Sequence, residues 1–238
     1  MLKTTRLTLA GIYFTYFLKT FKRAGITIHV PMDLTTYKFR GRFVLGTYEK
    51  EEARYLKEFL DPEAQVLELG SCLGYVSCLT NSLLHHKSNH VVLEANPKLI
   101  PCIKKNREIN QCGFFVENSM ISNQKENDFY LHDLIVGGSA KRKTLDKIKV
   151  PGISFKELRR KYNMDFDTLI MDIEGGELGL LRDNKEDISR FRQVFMEVHP
   201  FADILTPKEA QECTDILTSL GFQRTLSDGH FQIWSKRS

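Results

Sequence analysis

Few folds accommodate the stretch Val66-Leu-Glu-Leu-Gly-Ser-Cys-Leu-Gly-Tyr-Val-Ser77. A short apolar run carries the acid Glu68, the glycines Gly70 and Gly74 follow, and then comes an amphipathic segment with helical spacing. Such a pattern predicts a buried strand that turns sharply into a helix, with main chain at the turn open to a nucleotide-like ligand. A second apolar run, Val91-Val-Leu93, ends in Glu94 and Ala95, 26 residues after Glu68. An acid at the tip of the second strand is where an α/β fold holds the hydroxyls of a ribose. The two stretches together point to an adenosine-containing cofactor.

The spacing separates two cofactor classes. A dinucleotide fold uses G-x-G-x-x-G, because a pyrophosphate must contact the helix N-terminus. This chain has G-x-x-x-G, with Ser71 and Cys72 after the first glycine and Glu68 just before it. A carboxylate there would repel a pyrophosphate but suits the cationic amino group of S-adenosylmethionine. The plainer reading is a βαβ unit with a glycine-rich turn and no ligand.

The length suits one catalytic domain, residues 46–238, preceded by an N-terminal helix and lead-in over 1–45. The net charge of +4 is mild and does not by itself imply nucleic acid; no DNA partner is expected. Five cysteines form no C-x-x-C pair, which argues against zinc and a disulfide framework and favours a reduced, cytoplasmic setting. Residues 7–18 (LTLAGIYFTYFL) are apolar and flanked by Lys3, Arg6, Lys19, Lys22 and Arg23. The run is shorter than the roughly 20 residues that cross a bilayer. Its apolar face is expected on the catalytic core, the alternative being an anionic membrane surface.

Along the chain, residues 37–45 read as an extended or irregular lead-in. Thr47 is expected to cap a helix over 48–60. Strands at 65–69, 90–94, 114–116, 167–171 and 192–198 alternate with helices at 74–84, 97–110, 155–162, 174–182 and 207–220. Residues 127–137 suggest a further strand or hairpin, 138–149 a basic loop, and 222–235 a closing hairpin. The fold class is therefore α/β and Rossmann-like, a mostly parallel sheet with helices on both faces and a C-terminal antiparallel hairpin.

A second chemical cluster is Ile170-Met-Asp-Ile-Glu-Gly-Gly-Glu177. Asp172 falls at the C-terminal end of the fourth strand, where ligands of open α/β sheets lie. Glu174 and Glu177 share a face if the helix has begun. The fifth strand brings His199 to the same edge, and the third ends at Asn118 and Ser119. The acids could instead merely complement a helix dipole.

These stretches resemble the FkbM-type S-adenosylmethionine-dependent methyltransferases. The likeness runs over about residues 40–200 and rests on Gly46-Thr-Tyr-Glu49, the glycine turn, Leu93-Glu-Ala-Asn-Pro97, Val136-Gly-Gly-Ser139, Asp167 to Glu177 and Phe195-Met-Glu-Val-His199. The D-x-E-G-x-E segment is its most specific part. The resemblance implies a seven-stranded class I methyltransferase and O-methylation of a sugar, glycan or secondary metabolite. It implies cofactor contacts from Glu49, Glu68, Gly70, Ser71, Cys72, Gly74, Glu94, Ala95, Asn118 and Ser119. The chain departs from the family in carrying Glu68 for an aspartate, Ser71-Cys72 for Ala-Asn, and Met171 where many members have lysine.

The expected chemistry is in-line displacement, with a base removing the acceptor's proton. Asp172, His199 and Glu174 are the candidate bases. An anionic acceptor would need none and could meet Lys141, Arg142, Lys143, Lys147 and Lys149. A divalent ion held by Asp172 and Glu174 is possible for a sugar diol, but two carboxylates this close are weak evidence, and no metal is expected. Remaining alternatives are an RNA ribose methyltransferase and a non-catalytic S-adenosylmethionine-binding module that recruits a glycan pathway to the membrane. A dehydrogenase is the weakest.

Overall fold

The computed structural model describes residues 2–131, 147–199 and 205–236. Its centre is a seven-stranded sheet of order β11-β12-β10-β9-β3-β4-β5. The strands are β3 (Val66–Leu69), β4 (His90–Leu93), β5 (Phe115–Glu117), β9 (Thr168–Met171), β10 (Gln193–Glu197), β11 (Gln223–Asp228) and β12 (Phe231–Ser235). The pairs β4–β5, β3–β4, β3–β9 and β9–β10 are parallel, and β12 runs antiparallel to both its neighbours. Every residue of β3, β4 and β9 is buried, as expected of mostly apolar strands covered on both faces, with Glu68, His90 and Thr168 as the buried polar exceptions.

The pleat divides the core in two. Leu67, Leu69, Leu169 and Met171 meet α6 (Phe155–Tyr162), α7 (Glu177–Asp183) and α9 (Pro207–Ser219) on one face. On the other face, Val66, Ile170 and Phe195 meet α3 (Lys50–Phe59). Val92 there joins α4 (Tyr75–Leu83) and α5 (Ile100–Ile109). Capping boxes begin α6 at Ser154 and α9 at Thr206, which explains why their starts were readable. From β3 the chain builds β4 and β5 to one side and β9 and β10 to the other. The switch point lies between the C-terminal ends of β3 and β9, where ligands of such sheets bind.

The N-terminal segment differs most from expectation. α1 (Leu2–Tyr13) continues through one wide turn, Phe14–Leu18. Then β1 (Thr20–Arg23) and β2 (Ile26–His29) form a hairpin across Ala24 and Gly25, both at positive φ. Residues 37–44 are a helix, α2 (Tyr37–Val44), and not an extended lead-in. The Thr36 hydroxyl accepts the Phe39 N–H at 3.2 Å, and α2 then lies against α1. A Cβ on Gly11 would collide with the Tyr37 carbonyl, and one on Gly41 with that of Leu7. Tertiary contact, not local propensity, makes this helix, so the sequence pattern alone misses it. Phe14, Phe21, Ile28 and Phe43 share one cluster with Tyr75, Leu79, Val92 and Ile103, so the N-terminal segment and the sheet have a common core.

Smaller corrections matter for the site. α3 begins at Lys50 without Thr47 as its cap; Glu49 occupies the junction in a left-handed conformation, φ 44°. α7 begins at Glu177, after Glu174 (φ 47°) and Gly175 (φ 92°), so Glu174 and Glu177 do not share a helical face. A short α8 (Lys185–Ile188) follows. Beside the main sheet stands a smaller one, order β6-β8-β7, of β6 (Met120–Ile121), β7 (Glu126–Tyr130) and β8 (Lys147–Ile153). Lys147 and Lys149, expected in a basic loop, lie on β8 and pair with Asp128 of β7 at 2.6 and 2.7 Å. The rest of that loop, with Lys141, Arg142, Lys143 and the Val136–Ser139 motif, lies outside the described residues.

Candidate active site

Where β3 and β9 part, a cleft of about 570 Å³ opens at their C-terminal ends. Gly70 (φ 86°), Cys72, Glu94, Asp172 and Glu174 line its floor, and the smaller sheet forms a wall. The Gly70 N–H donates to the Leu93 carbonyl and the Asp172 N–H to that of Leu69, both at 3.0 Å. A Cβ on Gly70 would run into the Asp172 carbonyl. Glycine is therefore demanded by the approach of the β9 turn as well as by any ligand.

Glu94 holds two turns together. One carboxylate oxygen accepts the N–H groups of Ser71 and Cys72 at 3.1 and 3.0 Å, and the other accepts that of Asn96 at 2.8 Å. The Asn118 amide donates to the carbonyls of Glu94 and Ala95 at 2.8 and 3.1 Å. Burial pushes the Glu94 carboxyl up to about 7, against the pull of those backbone donors. Ala95 and Ser119 line the cleft, and the Ser119 hydroxyl is buried without a hydrogen-bond partner. Gly74 (φ 80°) is the residue from which α4 departs.

Glu68 lies behind the turn, not on the wall of the main cleft. Ser77 donates to one of its oxygens, and His90 meets the other at 3.1 Å. The Ser71 hydroxyl joins the same buried chain through Ser77 at 2.8 Å. The acids that line the cleft are instead Glu49, Glu94, Asp172 and Glu174, together with Asp183 and Glu209. Burial raises the Cys72 thiol well above its usual range, so it lines the cleft as a neutral group. Glu49, Cys72 and Glu174 are all non-glycine residues in the left-handed region. Each costs on the order of 1–3 kcal/mol, and strain of this kind collects where function needs a fixed geometry.

Behind the floor lies a set that sequence reasoning missed. Ligand atoms of Glu49, Glu52 and Glu197 fall within 4.8 Å of one another. Burial pushes Glu52 up to about 8, with Glu197 adding to the rise. Burial followed by the charge of Asp172 brings Glu197 to about 7. The readable signal was Glu52 itself: it lies four residues before Leu56, on the buried stripe of α3, where an acid is out of place.

His199 comes from the end of β10 and is buried behind Asp172. Its Nδ1 meets Glu177 at 3.2 Å, and its Nε2 faces Asp172 at 3.5 Å, Glu197 at 3.8 Å and Glu174 at 3.9 Å. Burial alone would lower its pKa, but the Glu177 hydrogen bond and the surrounding carboxylates raise it to about 10. The ring thus sits among four carboxylates, and its ligand atoms with those of Asp172 and Glu177 fall within 4.8 Å of one another. Asp172 is raised to about 7 by burial and by its acidic neighbours, with His199 pulling the other way. Of the three candidate bases, Asp172 and Glu174 line the cleft, while His199 is buried behind them.

A family model, the methyltransferase FkbM domain, matches residues 68–224. The chain belongs to the FkbM methyltransferase family. No curated protein is significantly similar to it in sequence. Solved structures that this FkbM methyltransferase resembles include an O-methyltransferase from Bacillus cereus in complex with SAH, at 10% identity over 98% of this chain and 100% of that one, TM-score 0.49. Another is the ribosomal protein L11 methylase of Lactobacillus delbrueckii subsp. bulgaricus, at 12% identity over 80% of each chain, TM-score 0.49. A third is the precorrin-6y C5,15-methyltransferase of Geobacter metallireducens, at 12% identity over 78% of this chain and 87% of that one, TM-score 0.49. The strand order and the family together make this a class I, Rossmann-like methyltransferase domain, and the family implies use of S-adenosylmethionine.

Proposed function

We propose that the protein methylates a hydroxyl group, with S-adenosylmethionine as donor and Asp172 as the base. The observation that carries this is Asp172 itself, at the switch point, partly open to the cleft, with a pKa near 7 and a buried imidazolium behind it. When bound, S-adenosylmethionine supplies an electrophilic methyl on a positively charged sulfur. The residues present fit that group: the glycine turn leaves the main chain clear, and Glu49, Glu94, Asp172 and Glu174 give the cleft a negative lining.

The chain's own work is positioning and proton removal. Glu94 ties the glycine turn to the end of β4, fixing the wall where ribose hydroxyls are expected. The Asp172 carboxylate would take the acceptor's proton as the methyl's bond to the sulfonium sulfur gives way to one with the acceptor oxygen, the sulfur leaving as a neutral thioether, and a base with a pKa near the working pH does this best. His199 holds Asp172 in place and balances the charge of the unprotonated form. Ser122, Gln124 and Asn127 on the smaller-sheet wall support a polyhydroxylated acceptor such as a sugar. The same acidic lining counts against a polyanion such as RNA.

The test is calorimetric titration with S-adenosylmethionine, followed by incubation with sugar and glycan acceptors and mass detection of one added methyl group. Asp172→Asn should retain cofactor binding and lose about 100- to 10,000-fold in kcat. The wild-type rate should rise with pH around a midpoint of about 7, as Asp172 loses its proton. A fully active Asp172→Asn enzyme, or a rate unchanged across that midpoint, would remove Asp172 from its role.

A further inference from the structure

The outer side of α1 has no counterpart in the catalytic reading. α1 turns Leu7, Gly11 and Phe14 toward α2 and the core, with Gly11 and Leu7 at the points where the two backbones meet. Leu9, Ile12, Tyr13, Tyr16 and Phe17 recur at i, i+3, i+4, i+7 and i+8, one helical stripe, and all are exposed, Leu9 by 63%, Tyr16 by 64% and Phe17 by 73%. The Tyr13 and Phe17 rings stack at 5.2 Å. Isolated exposed apolar residues need no explanation, but a contiguous aromatic stripe marks a surface that something covers.

Charge says what covers it. Residues 1–44 hold eight basic residues and one acid, against 26 basic and 29 acidic residues in the remainder. Arg6, Lys19, Lys22 and Lys38 of this segment are exposed, on α1, just after the wide turn, on β1 and on α2. No helix among the described residues is long and apolar enough to cross a membrane. An amphipathic helix with aromatic and leucine side chains on one face and cations at its borders lies in the plane of an anionic membrane surface.

We propose that α1 docks this methyltransferase on an anionic lipid bilayer, inserting Leu9, Tyr16 and Phe17 while Arg6, Lys19, Lys22 and Lys38 meet the headgroups. A second copy of the chain, or a protein partner, would not require this surplus of cations around the stripe. The proposal does not depend on the acceptor or on the catalytic base.

The full-length protein should be spun down with sucrose-loaded vesicles, either pure phosphatidylcholine or one-third phosphatidylserine. Binding is expected to the anionic vesicles and to fall with salt. The Leu9→Ser/Phe17→Ser double variant should weaken it by at least about tenfold. Lys19→Gln and Lys22→Gln should each weaken it by about fivefold. Calorimetry with S-adenosylmethionine on the same variants should match wild type, since none of these residues lines the cleft. No binding of the wild-type protein to anionic vesicles, or binding indifferent to the double variant, would overturn the proposal. Light scattering completes the test: a wild-type dimer dissolved by the double variant, with no vesicle binding, would assign the stripe to a second copy and overturn it as well.

Discussion

In the wide turn that continues α1 the aromatic Phe17 is 73% exposed, while on α3 the acid Glu52 is 7% exposed. The two regions around them depart in opposite directions from the rule that apolar groups go inside and charges outside. The N-terminal surface is basic with apolar groups facing out; the cleft is acidic with charges facing in. Elsewhere β3, β4 and β9 follow the rule except at Glu68, His90 and Thr168. Natural chains break local consistency where function asks for it. The comparison thus separates an apolar, basic surface proposed to meet a bilayer from an acidic cleft proposed to take a cationic donor.

The largest expected effect tests how rigid the acidic region is. Gly70→Val places a branched side chain at φ 86°, facing the Asp172 carbonyl. Both penalties act at once, and the loss should be about 4 kcal/mol or more in urea unfolding, with S-adenosylmethionine binding gone. A variant of normal stability that merely fails to bind would show that the turn has room, and that glycine is there for the ligand alone.

How much of this was legible follows from which forces set each part. The sheet and the glycine turn were readable because their signals are local: apolar runs, an acid at the strand tip, capping residues such as Ser154 and Thr206. α2 was not, because its helix depends on α1 packing through Gly11 and Gly41. Asp172 and Glu94 were found from their places at strand ends. The direction of Glu68 was not, since a strand residue's face is fixed by register with neighbours, and here that register turns it to Ser77 and His90. The surroundings of His199 likewise depend on β9 and β10 pairing side by side, which sets Asp172, Glu174 and Glu177 of one segment and Glu197 of the other around the ring.

The acids in and behind the cleft should make stability depend on pH. Glu52 at about 8 and Glu94, Asp172 and Glu197 at about 7 all lie above the ordinary carboxylate range. The folded protein therefore holds protons that the unfolded chain has released. The stability they contribute is complete below about pH 4 and is lost as pH rises through 7 to 8. His199 acts in the same direction: its contribution is complete below about pH 6.5 and lost as pH rises through about 10. The melting temperature of the ligand-free protein should fall over that range. Glu52→Gln should flatten the decline and add about 2–4 kcal/mol at the alkaline end. A melting temperature that rises with pH would mean that the cluster is ionised and compensated throughout.

The smallest effect is the sharpest test of the other region, because it compares two phenylalanines three residues apart. Phe14 is 1% exposed, with its ring 5.3 Å from that of Phe43 in the shared core. Phe14→Ala should cost about 3–5 kcal/mol. Phe17→Ala makes the same chemical change within the same wide turn, and should alter stability by no more than about 0.5 kcal/mol, as measured by urea unfolding of the lipid-free protein. Because the substitution and the helical context are shared, intrinsic propensity cancels and only burial remains. Equal losses at the two positions would mean that the stripe is covered by protein in solution. A near-zero loss at Phe17 would leave its exposed ring without a role in folding, as a surface kept for contact with something outside the chain requires.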